Sequence, residues 1–255
     1  RIVEAGFPTT LWARRPASLE PFADTAAKVA ESPAELAADS DLVCLCVVGD
    51  ADVEEVTAGE NGVLAGLRRG GVVAVHSTVH PKTCHELAKA AGPQGVSVID
   101  APVSGGAPAV AERRLLVMVG GEADVVERCR PVFASYADPI VHLGELGTGQ
   151  TTKLLNNLLF TANLGTAAGT LALGEALGVL PDRLVEVMSR GSANSFALNV
   201  LGGDTGGLGR LAGMAGALLQ KDVRLLADVA DAAAVPGGAV LDAADATLSL
   251  MEHPR

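Results

Sequence analysis

The chain has 255 residues, 49% hydrophobic and 19% charged, with a net charge of −11. That length allows one large domain or two ordinary ones, with enough apolar side chains for a sizeable core. An acidic balance with no basic block argues against nucleic acid as a partner, and the apolar runs fall short of the roughly 18–20 residues a membrane helix needs.

Arg1–Ala5 followed by Gly6 reads as the last turn of a helix with a glycine cap. From there to about residue 145, short β-type runs alternate with helical ones. The predicted strands are Thr10–Ala13, Leu42–Val48, Val72–His76, Val96–Ile99, Leu115–Val119 and Ile140–Leu143. The predicted helices between them are Leu19–Ala30, Pro33–Ala38, Ala51–Ala58, Pro81–Ala91 and Ala123–Tyr136. Strands that are apolar on consecutive residues suit a sheet covered on both faces, and their alternation with helices predicts a Rossmann-type, doubly wound parallel sheet. Such a fold opens with a strand and a GxGxxG turn. Neither is present here, so about 20 residues, the size of one strand–turn–helix unit, are expected to precede Arg1 in the natural chain.

After Gly147 the strand signals stop. Gln150–Leu177, Pro181–Ser189, Leu218–Ala234 and Ala239–Glu252 are predicted helices, while the Gly-rich stretch Asn199–Gly216 reads as a loop or a broken helix. The expected division is an α/β dinucleotide-binding domain over 1–146 and an all-α domain for substrate and oligomerisation over 147–255. The four cysteines form no CxxC pair and no secretory signal opens the sequence, which points to reduced thiols in a cytoplasm.

Five stretches carry candidate chemistry. Leu11-Trp12-Ala13-Arg14-Arg15 ends the second strand of the expected fold, where an acid would accept from a ribose 2′-OH and an arginine would meet a 2′-phosphate. With two arginines and no acid it reads as an NADP site; two surface arginines in a loop are the alternative. Ser77 and Thr78 follow a strand, where small hydroxyls can bond a ribose or nicotinamide, or simply cap the helix from Pro81. Asp100-Ala-Pro-Val-Ser-Gly-Gly106 offers the Ser104 hydroxyl and backbone N–H groups of Gly105 and Gly106 to a small anion such as a carboxylate, or is an ordinary turn. In Gly147-Thr-Gly-Gln-Thr-Thr-Lys-Leu-Leu-Asn-Asn157, Lys153 is the only charge between Glu145 and Glu175. On a helix it shares a face with Asn156, Asn157 and Phe160, so Asn157 can reach its ammonium group or a shared ligand. A desolvated lysine there suits proton exchange with an alcohol, against the plainer reading of a lysine snorkelling at a helix start. Lys221-Asp222 is the fifth, and by itself an idle ion pair. His76, His80, Cys84 and His85 match no zinc spacing, so no metal is expected.

Together these motifs resemble the β-hydroxyacid dehydrogenase family, which includes 3-hydroxyisobutyrate dehydrogenase and the tartronate and succinic semialdehyde reductases. The resemblance covers nearly the whole chain, in order. Asp100–Gly106 is similar to the family's substrate-binding signature, Gly144-x-x-Gly-x-Gly-x-x-x-Lys153-x-x-Asn156-Asn157 to its catalytic signature, and Lys221-Asp222 to a late pair that reaches the cofactor. It implies Lys153 as general acid/base and Asn157 as the residue orienting substrate and lysine. It implies that Ser104, Gly105 and Gly106, with Met214 along the pocket, bind a small carboxylate-bearing substrate. Arg14, Arg15, Val48, Thr78 and Lys221 would contact the cofactor, NADP with NAD as the other possibility, and the helical domain would build a homodimer or homotetramer. Leu211 and Met214 stand where relatives carry phenylalanines, which implies a roomier pocket. The alternatives are an NADPH-dependent imine reductase on the same architecture, against which Lys153 and the Ser-Gly-Gly loop argue, and a non-catalytic binding protein.

Overall fold

The computed structural model describes residues 1–202 and 207–255. By packing, the chain divides into two compact units, Arg1–Lys153 and Leu154–Arg255. None of the described helices is long and apolar enough to cross a membrane.

In the first unit, a 3-10 turn over Val3–Ala5 ends at Gly6, whose φ of 86° is the left-handed conformation a glycine cap supplies. Strand β1 (Thr10–Leu11) pairs in parallel with β2 (Lys28–Val29). A second parallel ladder runs in the order β3 (Leu42–Leu45), β4 (Val72–Val75), β5 (Ser97–Asp100). Among the described residues no ladder joins β1 to β3. These ladders correspond to positions 3-2 and 4-5-6 of the dinucleotide-binding strand order 3-2-1-4-5-6. A third sheet has the order β6 (Val103–Ser104), β7 (Leu115–Val119), β8 (Ala137–His142), and meets β5 through an isolated bridge between Asp100 and Gly120.

The strands are apolar on both faces because each face carries its own core. Val43, Leu45, Val73 and Val75 pack with α1 (Pro33–Ala38), α2 (Asp50–Ala58), α3 (Val63–Gly66) and α4 (Pro81–Ala91). Val72, Ala74, Ile99, Val117 and Val119 pack on the other face with Phe133 and Cys129 of α6 (Ala123–Phe133). Phe133 is fully buried, and burying an aromatic of that size contributes about 2–3 kcal/mol.

One expectation changes and two are sharpened. Leu19–Ala30 is not a helix: Pro16–Phe22 is a 3-10 stretch with Pro21 inside it, and Lys28–Val29 is a strand. The prolines remove backbone donors, while Lys28 N–H and Ala30 N–H find carbonyls at Thr9 and Leu11 instead, each at 2.9 Å. The sheet is not purely parallel, since β6 runs antiparallel to β7. Only a short link holding α5 (Gly106–Ala111) joins them, too short for a parallel crossover of a dozen or more residues. Finally, the Gly-rich stretch Asn199–Gly216, read as a loop or a broken helix, is helical in its described residues: α9 (Phe196–Gly202) precedes 203–206, which lie outside them, and α10 (Gly207–Ala232) follows.

The second unit is helical, comprising most of α7 (Thr148–Ala176), then α8 (Pro181–Arg190), α9, α10 and α11 (Gly238–Leu250). Leu154, Leu158 and Leu164 of α7 pack against Leu219, Val223 and Leu226 of α10 and Ala244 and Leu248 of α11. Each glycine in α10 costs about 1 kcal/mol of intrinsic helix preference. Packing overrides this: Leu208, Leu211 and Ala215 join the core, and a β-carbon at Gly216 would lie 2.2 Å from the His253 ring.

Candidate active site

The C-terminal ends of β3 and β4 lead into two loops that are tied to each other. Ser77 Oγ accepts from Val47 N–H at 2.7 Å and lies 3.3 Å from the Leu45 carbonyl oxygen, to which it donates. Asp50, the first residue of α2, accepts from His80 N–H at 2.8 Å and from Thr83 Oγ at 2.6 Å. Between these ties sit two predicted cofactor residues: Val48, largely exposed, and Thr78, half-buried.

His76 anchors the β4 loop from beneath. Its Nδ1 donates to the Ala101 carbonyl and its Nε2 accepts from the Tyr136 hydroxyl at 2.9 Å, since a carbonyl can only accept and the other ring nitrogen is then the acceptor. Phe133 meets the imidazole edge-on, with centroids 5.4 Å apart. Burial pushes the His76 pKa below the usual imidazole value, partly countered by the bond to Ala101, so this ring is a neutral strut. Neighbouring His80 caps α4, its Nδ1 accepting from Lys82 N–H at 3.0 Å. Among the described residues no group of three or more His, Cys, Asp and Glu is placed to hold a metal ion.

The start of α7 is fastened to the same strand ends. Gly147 has a φ of 92°, and a β-carbon at Gly149 would lie 2.5 Å from the Met118 carbonyl oxygen and 2.8 Å from Asp100 Oδ2. Glycines therefore allow the turn and the close approach. Asp100, fully buried at the end of β5, accepts from Gly147 N–H at 2.7 Å and from Gln150 N–H at 2.6 Å. A carboxylate there satisfies orphan helix donors and faces the positive end of the helix dipole. Burial pushes the Asp100 pKa up, and these same N–H bonds pull against it. Gln150, also fully buried, accepts from Val79 N–H at 3.1 Å and donates to the carbonyls of Ser77 at 2.8 Å and Val75 at 3.4 Å. Lys153 follows three residues later, half-buried. This fastening puts the packing boundary after Lys153, one to two helical turns beyond Leu146 where composition divides the sequence.

Within the second unit, Asn157 Nδ2 donates to Asp222 Oδ2 at 2.6 Å, and Asn157 Oδ1 accepts from Asn156 Nδ2 at 3.0 Å. A carboxylate only accepts, so buried Asp222 fixes the orientation of the Asn157 amide and turns its oxygen the other way. Lys221 Nζ stands 2.8 Å from Asp222 Oδ1. Lys221-Asp222 is thus no idle surface pair but part of a partly desolvated cluster with Asn157. Met214, two turns before Lys221 on α10, is exposed.

The remaining predicted residues stand in the first unit. Ser104 ends β6, and Gly105 and Gly106 have φ values of 125° and 63°, opening α5. Arg14 is not an open cation. Its Nη1 is 2.9 Å from Asp52 Oδ1 and its Nη2 is 2.8 Å from Glu55 Oε2, both on α2, and the Asp52 bond, then Glu55, holds its pKa above the ordinary value. Arg15 is exposed. The tied loops at the ends of parallel strands fit a dinucleotide lying across them; Arg14 fits a 2′-phosphate only in competition with two carboxylates.

Asp100, Gln150, Asp52 and Glu55 carry these arrangements without an individual role assigned from sequence, and Asp222 is read there only as half of a pair with Lys221, not as the partner of Asn157. Each acts on a partner tens of residues away, so no local period marks it. The one available signal was polarity out of place: a buried-type acid ending a strand, and a glutamine in a charge-free helix start.

Residues 1–144 match the family model described as the NAD binding domain of 6-phosphogluconate dehydrogenase, and residues 147–251 the one described as NAD-binding of NADP-dependent 3-hydroxyisobutyrate dehydrogenase. The 2-(hydroxymethyl)glutarate dehydrogenase of Eubacterium barkeri is 32% identical over 216 residues, 82% of this chain and 70% of that protein. The L-threonate dehydrogenase of Cupriavidus necator is 35% identical over 196 residues, 76% of this chain and 66% of that protein. Across four of the curated relatives it matches, the chain spans between 57% and 82% of their length. The solved structure of Mycobacterium tuberculosis 3-hydroxyisobutyrate dehydrogenase with L-serine superposes with a TM-score of 0.85 at 26% identity, covering 99% of this chain and 88% of that one.

Proposed function

Because the chain belongs to the family of NAD(P)-dependent hydroxyacid dehydrogenases that includes 3-hydroxyisobutyrate dehydrogenase, we propose that it interconverts a small β-hydroxy acid and its semialdehyde, with Lys153 as the general acid/base. The observation that carries this reading is the seat of Lys153, the single charge between Glu145 and Glu175, on a helix start that Asp100 and Gln150 hold against the strand ends. A lysine so placed can give a proton to a developing alkoxide, or take one from the alcohol, which contributes about 10²–10⁴ in rate. When bound, the nicotinamide supplies or accepts the hydride. Asn157 lies one turn beyond Lys153 on α7, and its fixed amide oxygen can accept from the substrate hydroxyl or the lysine ammonium. Ser104 with the N–H groups of Gly105 and Gly106 would hold the carboxylate, with Met214 along the pocket. Thr78, Val48 and Lys221 would face the nicotinamide half of the cofactor, and Arg14 and Arg15 the adenosine half, favouring NADP.

The exposed leucines 155, 159 and 173 of α7, with Leu177 just after it, support a homodimer or homotetramer as the working form. The test is binding of NADPH against NADH by the full-length protein, then turnover of a panel of β-hydroxy acids. Lys153→Ala should lower kcat at least about a hundredfold with the fold intact. Unchanged turnover would remove the lysine from the mechanism; turnover of cyclic imines alone would remove the substrate class.

A further inference from the structure

Gln150 is a fully buried amide at the start of α7, and all of its bonding capacity is turned one way. Its Nε2 donates to the Ser77 carbonyl at 2.8 Å and to the Val75 carbonyl at 3.4 Å; its Oε1 accepts from Val79 N–H at 3.1 Å. These groups flank Thr78 on both sides. The Val75 carbonyl ends β4 and already accepts from Ala101 N–H at 2.9 Å, but the Ser77 carbonyl and Val79 N–H belong to a loop that has left its strand, and Gln150 supplies the partner these buried groups need. Gln150 also belongs to α7, where its own N–H is held by Asp100 at 2.6 Å, and it lies one turn before Lys153. One side chain therefore fixes the β4 loop to the helix that carries the lysine. A fold needing only a stable helix start already has Asp100 for that purpose.

We propose that Gln150 is a positioning residue that sets Thr78 and the nicotinamide end of the cofactor site in register with Lys153. This rests on the dehydrogenase reading above. Hydride and proton transfers at one carbon demand two placements at once, and a misplacement of about 1 Å costs on the order of a hundredfold in rate. An amide suits the task because it donates to carbonyls and accepts from an N–H simultaneously, with no charge to desolvate.

Q150E tests this. When protonated, the introduced carboxyl can donate to the Ser77 carbonyl and accept from Val79 N–H, as the amide does. When ionised it has no donor and faces a carbonyl oxygen. The expected result for the full-length protein is a kcat within about tenfold of the parent near pH 6, falling about a hundredfold by about pH 9, as misplacement should cost. KM for the hydroxy acid and the far-UV circular dichroism should hold over that range. Amide hydrogen exchange at Ser77–His80, measured without cofactor, should speed up over the same pH span. Q150M, which lacks both donor and acceptor, should lose kcat and protection at every pH. The inference is overturned if Q150E keeps the parent's pH profile while loop protection is lost. It is equally overturned if the kcat of both variants falls only in proportion to their folded fraction, which would leave Gln150 a stability residue. A parent that turns over no hydroxy acid fails the proposed function instead, whatever the exchange data show.

Discussion

Asp100→Ala removes a carboxylate that closes the start of α7. Two bonds are lost, to Gly147 N–H at 2.7 Å and Gln150 N–H at 2.6 Å, and both donors are buried. Hydrogen bonds to a charged group contribute about 1.5–3 kcal/mol each, a gross loss of about 3–6 kcal/mol. Against this, the native carboxylate carries a desolvation cost, visible in its raised pKa, which the substitution relieves. A net loss of about 2–4 kcal/mol at neutral pH follows, or a fall of about 5–15 °C in Tm for a unit of this size. The loss also depends on pH, and its sign is fixed. A folded pKa above the unfolded one means the native state holds the proton more tightly, so the stability Asp100 contributes is fullest below the ordinary aspartate range and declines as pH rises through the folded value. The Asp100→Ala deficit is therefore larger in acid than at neutrality. Asp100→Asn, which keeps one acceptor oxygen and no titration, should lose roughly half as much and show no such trend. Denaturant melts of parent and both variants across the acid-to-neutral range measure this. A deficit under about 0.5 kcal/mol, or one that grows from acid to neutral pH, would refute the capping role.

Arg14→Ala should weaken NADPH by about 10–100-fold and NADH little, whereas Glu55→Gln, which frees one side of the guanidinium, should tighten NADPH by a few fold; nucleotide fluorescence titrations read both, and equal effects on the two nucleotides would dismiss the arginine. Tyr136→Phe leaves His76 Nε2 without its donor and should cost about 1 kcal/mol. Because the His76 pKa is lowered in the fold, its contribution to stability is present above the ordinary histidine value and lost as pH falls through the folded one; in His76→Gln that part of the acid destabilisation should vanish in pH-dependent melts. Gly165→Val places a side chain where a β-carbon alone would stand 2.0 Å from Thr247 Oγ, so α7 and α11 must shift apart at a cost of about 1–3 kcal/mol; an unchanged melting temperature would contradict that packing.

The family and the order of elements were legible in the sequence because both rest on local periods and short spacings. The run Val72-Val73-Ala74-Val75 reads as a strand buried on both faces, which β4 is. A run from Gln150 to Leu177 with one lysine and one glutamate read as a single long helix, which is α7 within two residues. Where a segment's backbone found its partners far away, the local pattern misled: Lys28 and Val29 pair with residues 18 positions earlier. In α10 the low helix preference of the glycines is offset by core contacts of Leu208, Leu211 and Ala215 and by Gly216 lying against the His253 ring. The same separation governs the site. Motif spacing and the family it resembles, more than residue type, put forward Ser104, Lys153 and Asn157 as site residues. What holds the helix that carries Lys153 and Asn157 is set by tertiary structure, through Gln150 reaching back 71 residues to Val79, Asp100 reaching forward 50 to Gln150, and Asp222 meeting Asn157 across 65. A buried polar group must find a partner wherever the chain brings one, and only the fold decides where that is.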